Sequence, residues 1–440
     1  MTLIRRNRPL GKMCVALAML LSFCSAVPAQ EKPLAFVGAK IILIDGANIE
    51  EGVLVVHQGR ITAVGAAGAT TIPDDAQRID ATGKVIMPGL VDTHSHIGEI
   101  SGGDSSGPIH PEARILDAVN VRHSGMQRAQ AGGITTVNVM PGSGHLMSGQ
   151  TLYLKLRDGE IVDDLLIYDA DGHIAGGMKM ANGTNSQRKP PFPETRAKSA
   201  ALIRIEFIKA QEYQKKIERA KDDPEKMPDR DLRMEGLLKV LNREWIVHYH
   251  THRHDDIMTV LRLAKEFNFR VVLHHVSEGW KVAKQIAEAG APASIILVDS
   301  PGGKLEAMYL LHKTGAILEQ AGVLVAFHTD DWITDSRLFF RSAGLAVRAG
   351  MSREKALYGL TMAGAIMLGL EHRVGSLAPG KDADFIILSG DPLSVYTKVL
   401  ETYVEGVKVF DLSDPKDRLY AVGGKGAGED RASDVHCWGD

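Results

Sequence analysis

Residues 89–98 read Gly89-Leu90-Val91-Asp92-Thr93-His94-Ser95-His96-Ile97-Gly98, an apolar run that stops in two histidines. Leu90, Val91 and Thr93 suit a β-strand, and in a strand residues two apart point to the same side. His94 and His96 therefore project together from the strand's C-terminal end. Two imidazoles on one side can chelate a single divalent ion. Taken alone, the pair is weak evidence for a metal.

The same ending recurs downstream. Trp245-Ile-Val-His-Tyr-His-Thr-His-Arg253 closes a run with His248, His250 and His252 in alternation. Phe269-Arg-Val-Val-Leu-His-His275 closes another, and Gly322-Val-Leu-Val-Ala-Phe-His328 leads into Thr329, Asp330 and Asp331. Together with 133–140 (GITTVNVM), these short apolar runs alternate with helical patterns over 255–267, 280–289 and 352–368. That alternation predicts parallel strands joined by crossover helices, a (β/α)8 TIM-like barrel over 89–373. Several strands ending in His or Asp then converge on one rim, the face where such barrels keep their chemistry.

Outside the barrel, residues 34–88 and 374–412 read as short strands punctuated by Gly, Asp and Asn. They predict one small β-sandwich built from both chain ends. Residues 187–242 interrupt the barrel rhythm. Prolines at 190, 191 and 193 precede a helical face of Ile203, Phe207, Ala210, Tyr213 and Ile217, followed by a charged loop and another helix. An insertion of this size suits a lid or a homo-oligomer contact, with a solvated decoration as the other reading. Residues 413–440 read as a poorly ordered tail.

The first 29 residues read as a secretory signal: Arg5, Arg6, Arg8 and Lys12, an apolar run from Met13 to Phe23, and small residues before Gln30. The run is too short for a spanning helix, which needs about 20 residues. Phe23 is too bulky for Cys24 to be a lipid attachment site. The expectation is a periplasmic or secreted protein with no membrane anchor after cleavage. Cleavage removes four positive charges and no negative ones, taking the net charge from −3 to about −7. Nucleic acid and anionic membranes are then poor partners. Two of the three cysteines leave with the signal, so Cys437 can form neither an intramolecular disulfide nor a thiolate zinc site. A metal must be held by His, carboxylate or a modified Lys.

The order HxH, strand-end Lys, His, His and late Asp resembles the amidohydrolase superfamily over essentially the whole mature chain. Residues 373–388 (RVGSLAPGKDADFIIL) are similar to that superfamily's return into its small β-sandwich. Residues 141–157 (PGSGHLMSGQTLYLKLR), 176–183 (GGMKMANG) and 250–257 (HTHRHDDI) resemble a secreted imidazolonepropionase-like subgroup. The resemblance implies that His94 and His96 hold the more buried of two divalent ions, most often zinc. His250 and His275 would hold the second, and Asp330 would contact metal and act as general base toward water. It further implies a carboxylated lysine as bridge. Lys179 fits by its order along the barrel, and Lys155 is the competitor one strand earlier. His274 should point away from His275 and be structural. His248 shares strand parity with His250. His145, Arg253 and His328 are candidate substrate contacts, with a structural salt bridge the other reading of Arg253 and orientation of Asp330 the other reading of His328.

Deaminase-type members carry a glutamate three residues after the fifth-strand histidine, and imidazolonepropionases use a comparable one. Here that position is Arg253. The set therefore points to hydrolysis of an amide or peptide bond in a small molecule such as a dipeptide or N-acyl amino acid. The alternative is a mononuclear deaminase or cyclic-amide hydrolase.

Overall fold

The computed structural model describes residues 31–98, 100, 103–297, 305–331 and 333–423. The expected signal segment, Cys437 and most of the expected tail lie outside them. Within the tail, Pro415–Val422 form a helix whose first turn is capped by Asp414, so order extends past residue 412.

Five strands come first: β1 (Leu34–Ile41), β2 (Ile49–His57), β3 (Arg60–Ala66), β4 (Gln77–Asp80) and β5 (Val85–Pro88). The barrel strands follow as β6 (Leu90–Ser95), β7 (Ile134–Val139), β8 (Met147–Gln150), β9 (Leu152–Lys155), β10 (Gly177–Ala181), β11 (Ile246–Thr251), β12 (Val271–His275), β13 (Ala293–Ile295) and β14 (Val325–Phe327). The chain then adds β15 (Phe385–Leu388), β16 (Val399–Val404) and β17 (Val407–Asp411).

Strands from both chain ends share one eight-stranded sheet, because β15 pairs antiparallel with β5. The sheet curls back on itself: Arg60 at the start of β3 bridges Asp382, just ahead of β15. Phe36, Leu54, Ile61, Phe385 and Tyr403 fill its interior. Phe385 and Tyr403 stack at 4.5 Å, and Phe36 meets both edge-on, contacts worth about 0.5–1.5 kcal/mol each beyond area burial.

The barrel departs from the expected all-parallel ring. β8 and β9 are one run broken at Thr151, antiparallel to β10 on one side and β7 on the other. The remaining neighbours are parallel: β6 with β7, and β10 through β14 in sequence. The ring closes through hydrogen bonds between chain segments rather than a continuous ladder, Asp330 N donating to His94 O at 2.9 Å. Gly177 is required where β10 meets β11, since a Cβ there would lie 2.4 Å from Ile246 O and 2.8 Å from the His248 ring.

The 187–242 insertion contains two capped helices. Arg196–Ala220 starts at Thr195, whose hydroxyl accepts from Lys198 N, and Leu232–Leu241 starts at Asp231. Ile203, Phe207 and Ala210 bury their face of the first helix, with Phe207 stacked on Phe267 and Phe269. The helical pattern expected at 280–289 is shorter, Ala283–Glu288 after a 3₁₀ turn, and that at 352–368 divides at Thr361.

Candidate metal centre

Strand register sets the heights of the histidines. Lys179 on β10 lies beside His248 on β11, and His250 lies beside His274 on β12. Partners in a parallel pair share a face, so Lys179, His248, His250 and His274 all enter the barrel. The expectation that His274 points away is corrected by this register. His274 Nδ1 lies 3.3 Å from His94 Nδ1, and its Nε2 lies 3.0 Å from His248 Nδ1. It supports the centre from below. His248 also meets the Tyr153 hydroxyl at 2.7 Å, so it belongs to the same lower layer.

His275 should then face outward by alternation, yet it also enters the barrel. Its φ of 71° is left-handed and breaks the period of two at the strand end. Asp330 has the same left-handed backbone, φ 50°. Such residues cost about 1–2 kcal/mol each and persist where surrounding contacts enforce them. For Asp330 the contacts are visible: Asp92 accepts from His94 N, Thr329 N and the Thr329 hydroxyl. The following Asp331 accepts from Ser336 N and Oγ. Sequence reasoning passed over the Asp92–Thr329 clamp, although Asp92 shares strand parity with His94.

At the rim, His94 Nε2 lies 3.3 Å from His96 Nε2 and 3.0 Å from Lys179 Nζ. Asp330 Oδ1 is 3.0 Å from His96 Nε2 and 3.4 Å from His94 Nε2, and its Oδ2 is 3.9 Å from His275 Nδ1. The other nitrogen of His96 meets Met140 O at 2.7 Å, which fixes its ring. Ligand atoms of His94, His275 and Asp330 lie within 4.8 Å of one another, as do those of His250, His252 and His275.

Electrostatics prepares these groups to coordinate. Burial, then Lys179 and neighbouring imidazoles, hold His94 well below the usual histidine range, and burial with neighbouring imidazoles does the same for His275. Burial would raise the Asp330 carboxyl, but the hydrogen bond and charge of His96, with His328 and Lys179, hold it below its ordinary value. His94 and His275 thus keep their lone pairs at neutral pH and Asp330 stays a carboxylate, the forms in which these residues bind a divalent ion. Nε2 of His275 is buried with no hydrogen-bond partner among the described residues, as a nitrogen reserved for a metal would be. The donor set fits a metal.

Lys155 is placed elsewhere. Because β9 runs antiparallel, its end lies at the opposite mouth of the barrel. There Lys155 Nζ is 2.5 Å from Asp384 and 2.8 Å from Asp382, which removes it as a bridging candidate.

Three candidate substrate contacts resolve differently. Arg253 makes a bidentate pair with Asp255, 3.0 and 2.9 Å, the salt-bridge reading of that residue. His328 is fully buried, with Nε2 3.1 Å from His275 Nδ1 and Nδ1 2.8 Å from Ser294 Oγ. It orients His275 and is out of a substrate's reach. His145 lies on the loop after β7, beside His110 and Phe192. Burial and then Arg188 lower it to about 4, so it is neutral at physiological pH.

Residues 313–409 match the sequence profile of the Amidohydrolase family. A crystal structure of an amidohydrolase from Thermotoga maritima MSB8 is 34% identical, covers 86% of this chain and 100% of its own, and superposes with a TM-score of 0.80. The chain belongs to the amidohydrolase superfamily. The family match and the hydrolase relatives mark it as an enzyme acting on carbon–nitrogen bonds, in a family that generally uses a divalent metal. Amidohydrolase tasK of Hapsidospora irregularis is 27% identical over 404 residues, 83% of this chain but 41% of tasK itself. An imidazolonepropionase of Erwinia tasmaniensis is 23% identical over 418 residues, 79% of this chain and 90% of that protein.

Proposed function

We propose that this amidohydrolase cleaves an amide or peptide bond of a small substrate, such as a dipeptide or N-acyl amino acid, using metal-activated water. The observation that carries the reading is the convergence of His94, His96, Lys179, His275 and Asp330 within hydrogen-bonding or coordination reach. His94, His96 and Asp330 would hold one ion and His250 and His275 a second, with zinc the ion best matched to imidazole and carboxylate. When bound, divalent metal acidifies water and polarises the scissile carbonyl.

The chain's own residues supply the rest. Asp330, anionic and fixed by His96, accepts the proton of the attacking water and passes it to the leaving nitrogen. Lys179, whose Nζ lies 3.0 Å from His94 Nε2, would be the residue carboxylated, and as a carbamate would add an anionic ligand to the centre. His145, with Arg188 and Phe192 beside it, faces the substrate from the loop after β7. The chain would be exported by its signal segment and act in the periplasm or outside the cell, with the 187–242 insertion available for self-association.

Arg253 supports non-ring amides over deamination, because it occupies the position of the deaminase glutamate and is itself paired with Asp255. A second reading, opening of a cyclic amide, is favoured by relatives named imidazolonepropionase and dihydroorotase. A screen of zinc- and bicarbonate-loaded protein against dipeptides, N-acyl amino acids and cyclic amides separates the two. Turnover of cyclic amides alone would select the second reading. No turnover of any class would remove both.

A further inference from the structure

We propose that His252 is a third imidazole ligand of the second ion, so that the histidines of this half of the centre are His250, His252 and His275. The proposal rests on the reading of the barrel rim as a metal centre and adds a residue to it. His250-Thr251-His252 repeats the spacing of His94-Ser95-His96, and residues two apart at a strand end point to the same side. The two chelating pairs thus sit on opposite strands of one rim.

The geometry is compact. One ligand nitrogen from each of His250, His252 and His275 lies within 4.8 Å of the other two. The ring centroids are 4.7 Å apart for His250 and His252, 4.3 Å for His250 and His275, and 4.9 Å for His252 and His275. All three side chains are buried.

The arrangement is also supported from outside. His252 Nδ1 lies 2.7 Å from Ser277 Oγ. Donation from Nδ1 to that hydroxyl would leave the lone pair on Nε2, an outer hydrogen bond of the kind that orients a metal-bound imidazole. Val276 N donates to Thr251 O and Glu278 N to His252 O, at 3.0 and 2.9 Å. These bonds join the ends of β11 and β12, and the left-handed His275 and Val276 turn the chain there. His274 is not part of this set, since its nitrogens face His94 and His248. Three imidazoles with a further position left for an anionic or water ligand match a zinc site.

The test is metal binding, independent of any substrate. Metal-free protein is titrated with cobalt, followed by its visible absorption, and zinc content per chain is measured after equilibrium dialysis. The wild type should bind two ions. His252→Asn should keep the first at wild-type affinity and weaken the second at least about 100-fold, while Ser277→Ala should weaken the second about tenfold. Unfolding of the metal-free variants checks that each is folded; if His252→Asn is not, Ser277→Ala decides. Two ions bound by both variants at wild-type affinity would overturn the proposal. A wild type that binds one ion, unaffected by either variant, would also overturn it while leaving hydrolysis at the first site intact. A wild type that binds none would remove the metal-centre reading as well.

Discussion

Asp330 carries two demands at once: a left-handed backbone and a carboxylate aimed at His94, His96 and His275. Its identity as a strand-end acid was legible in Phe327-His328-Thr329-Asp330. The clamp that holds it was not, because Asp92 and Thr329 are 237 residues apart in sequence. Replacing Asp330 by Asn keeps the shape and removes the base. Turnover of the accepted substrate should fall by about 10²–10⁴-fold in kcat, with the fold unchanged. Activity within a few-fold of wild type would show that another group takes the proton. The same scale explains the error over His274 and His275. A period of two predicts one inward histidine, and only a left-handed residue, invisible in a sequence rich in β-branched neighbours, brings in both.

Among the elements, the antiparallel β8–β9 run decides the fate of the two lysines. In sequence only order along the barrel separated the two strand-end lysines, since apolar periodicity gives a strand no direction. The structure places Lys179 at 3.0 Å from His94 Nε2 and Lys155 against Asp382 and Asp384. Asp382 is further paired with Arg60 and Arg373, and Glu405 with Arg157 and Arg373. Lys155→Met should therefore destabilise the protein by about 3–5 kcal/mol in urea titrations, because it strands buried carboxylates, yet leave metal content unchanged. Lys179→Met should do the reverse, losing metal with a smaller stability change. Exchange of these two outcomes would reverse the assignment.

The loop after β12 offers a pH-dependent element. Burial would raise the Glu278 carboxyl, but His254 and Lys281 bring it down to about 2. A carboxylate lowered on folding stabilises the protein above its unfolded value and loses that contribution as pH falls toward the folded one. The stability gap between wild type and Glu278→Gln should thus be full at neutral pH and close between about pH 4.5 and 2. A gap independent of pH would show that the side chain acts through packing alone.

For the whole molecule, both chain ends build one sheet and the barrel closes through strand-end contacts around the histidines. Alternation of apolar runs and helices made the barrel legible, and the residue types at the run ends made its rim legible. What the sequence left dark depended on long-range pairing: the curled single sheet and the reversed third strand. Neither leaves a local pattern, since each is set by partners far along the chain. Both nevertheless position the site, for the barrel's closing hydrogen bond runs from Asp330 N to His94 O.

The most direct measurement is hydrolysis by one enzyme preparation before chelation, after removal of all metal, and after zinc is restored with bicarbonate. The account predicts that amide hydrolysis disappears on removal and returns with zinc, and that Asp330→Asn does not recover it. Hydrolysis that survives complete metal removal would contradict the central claim.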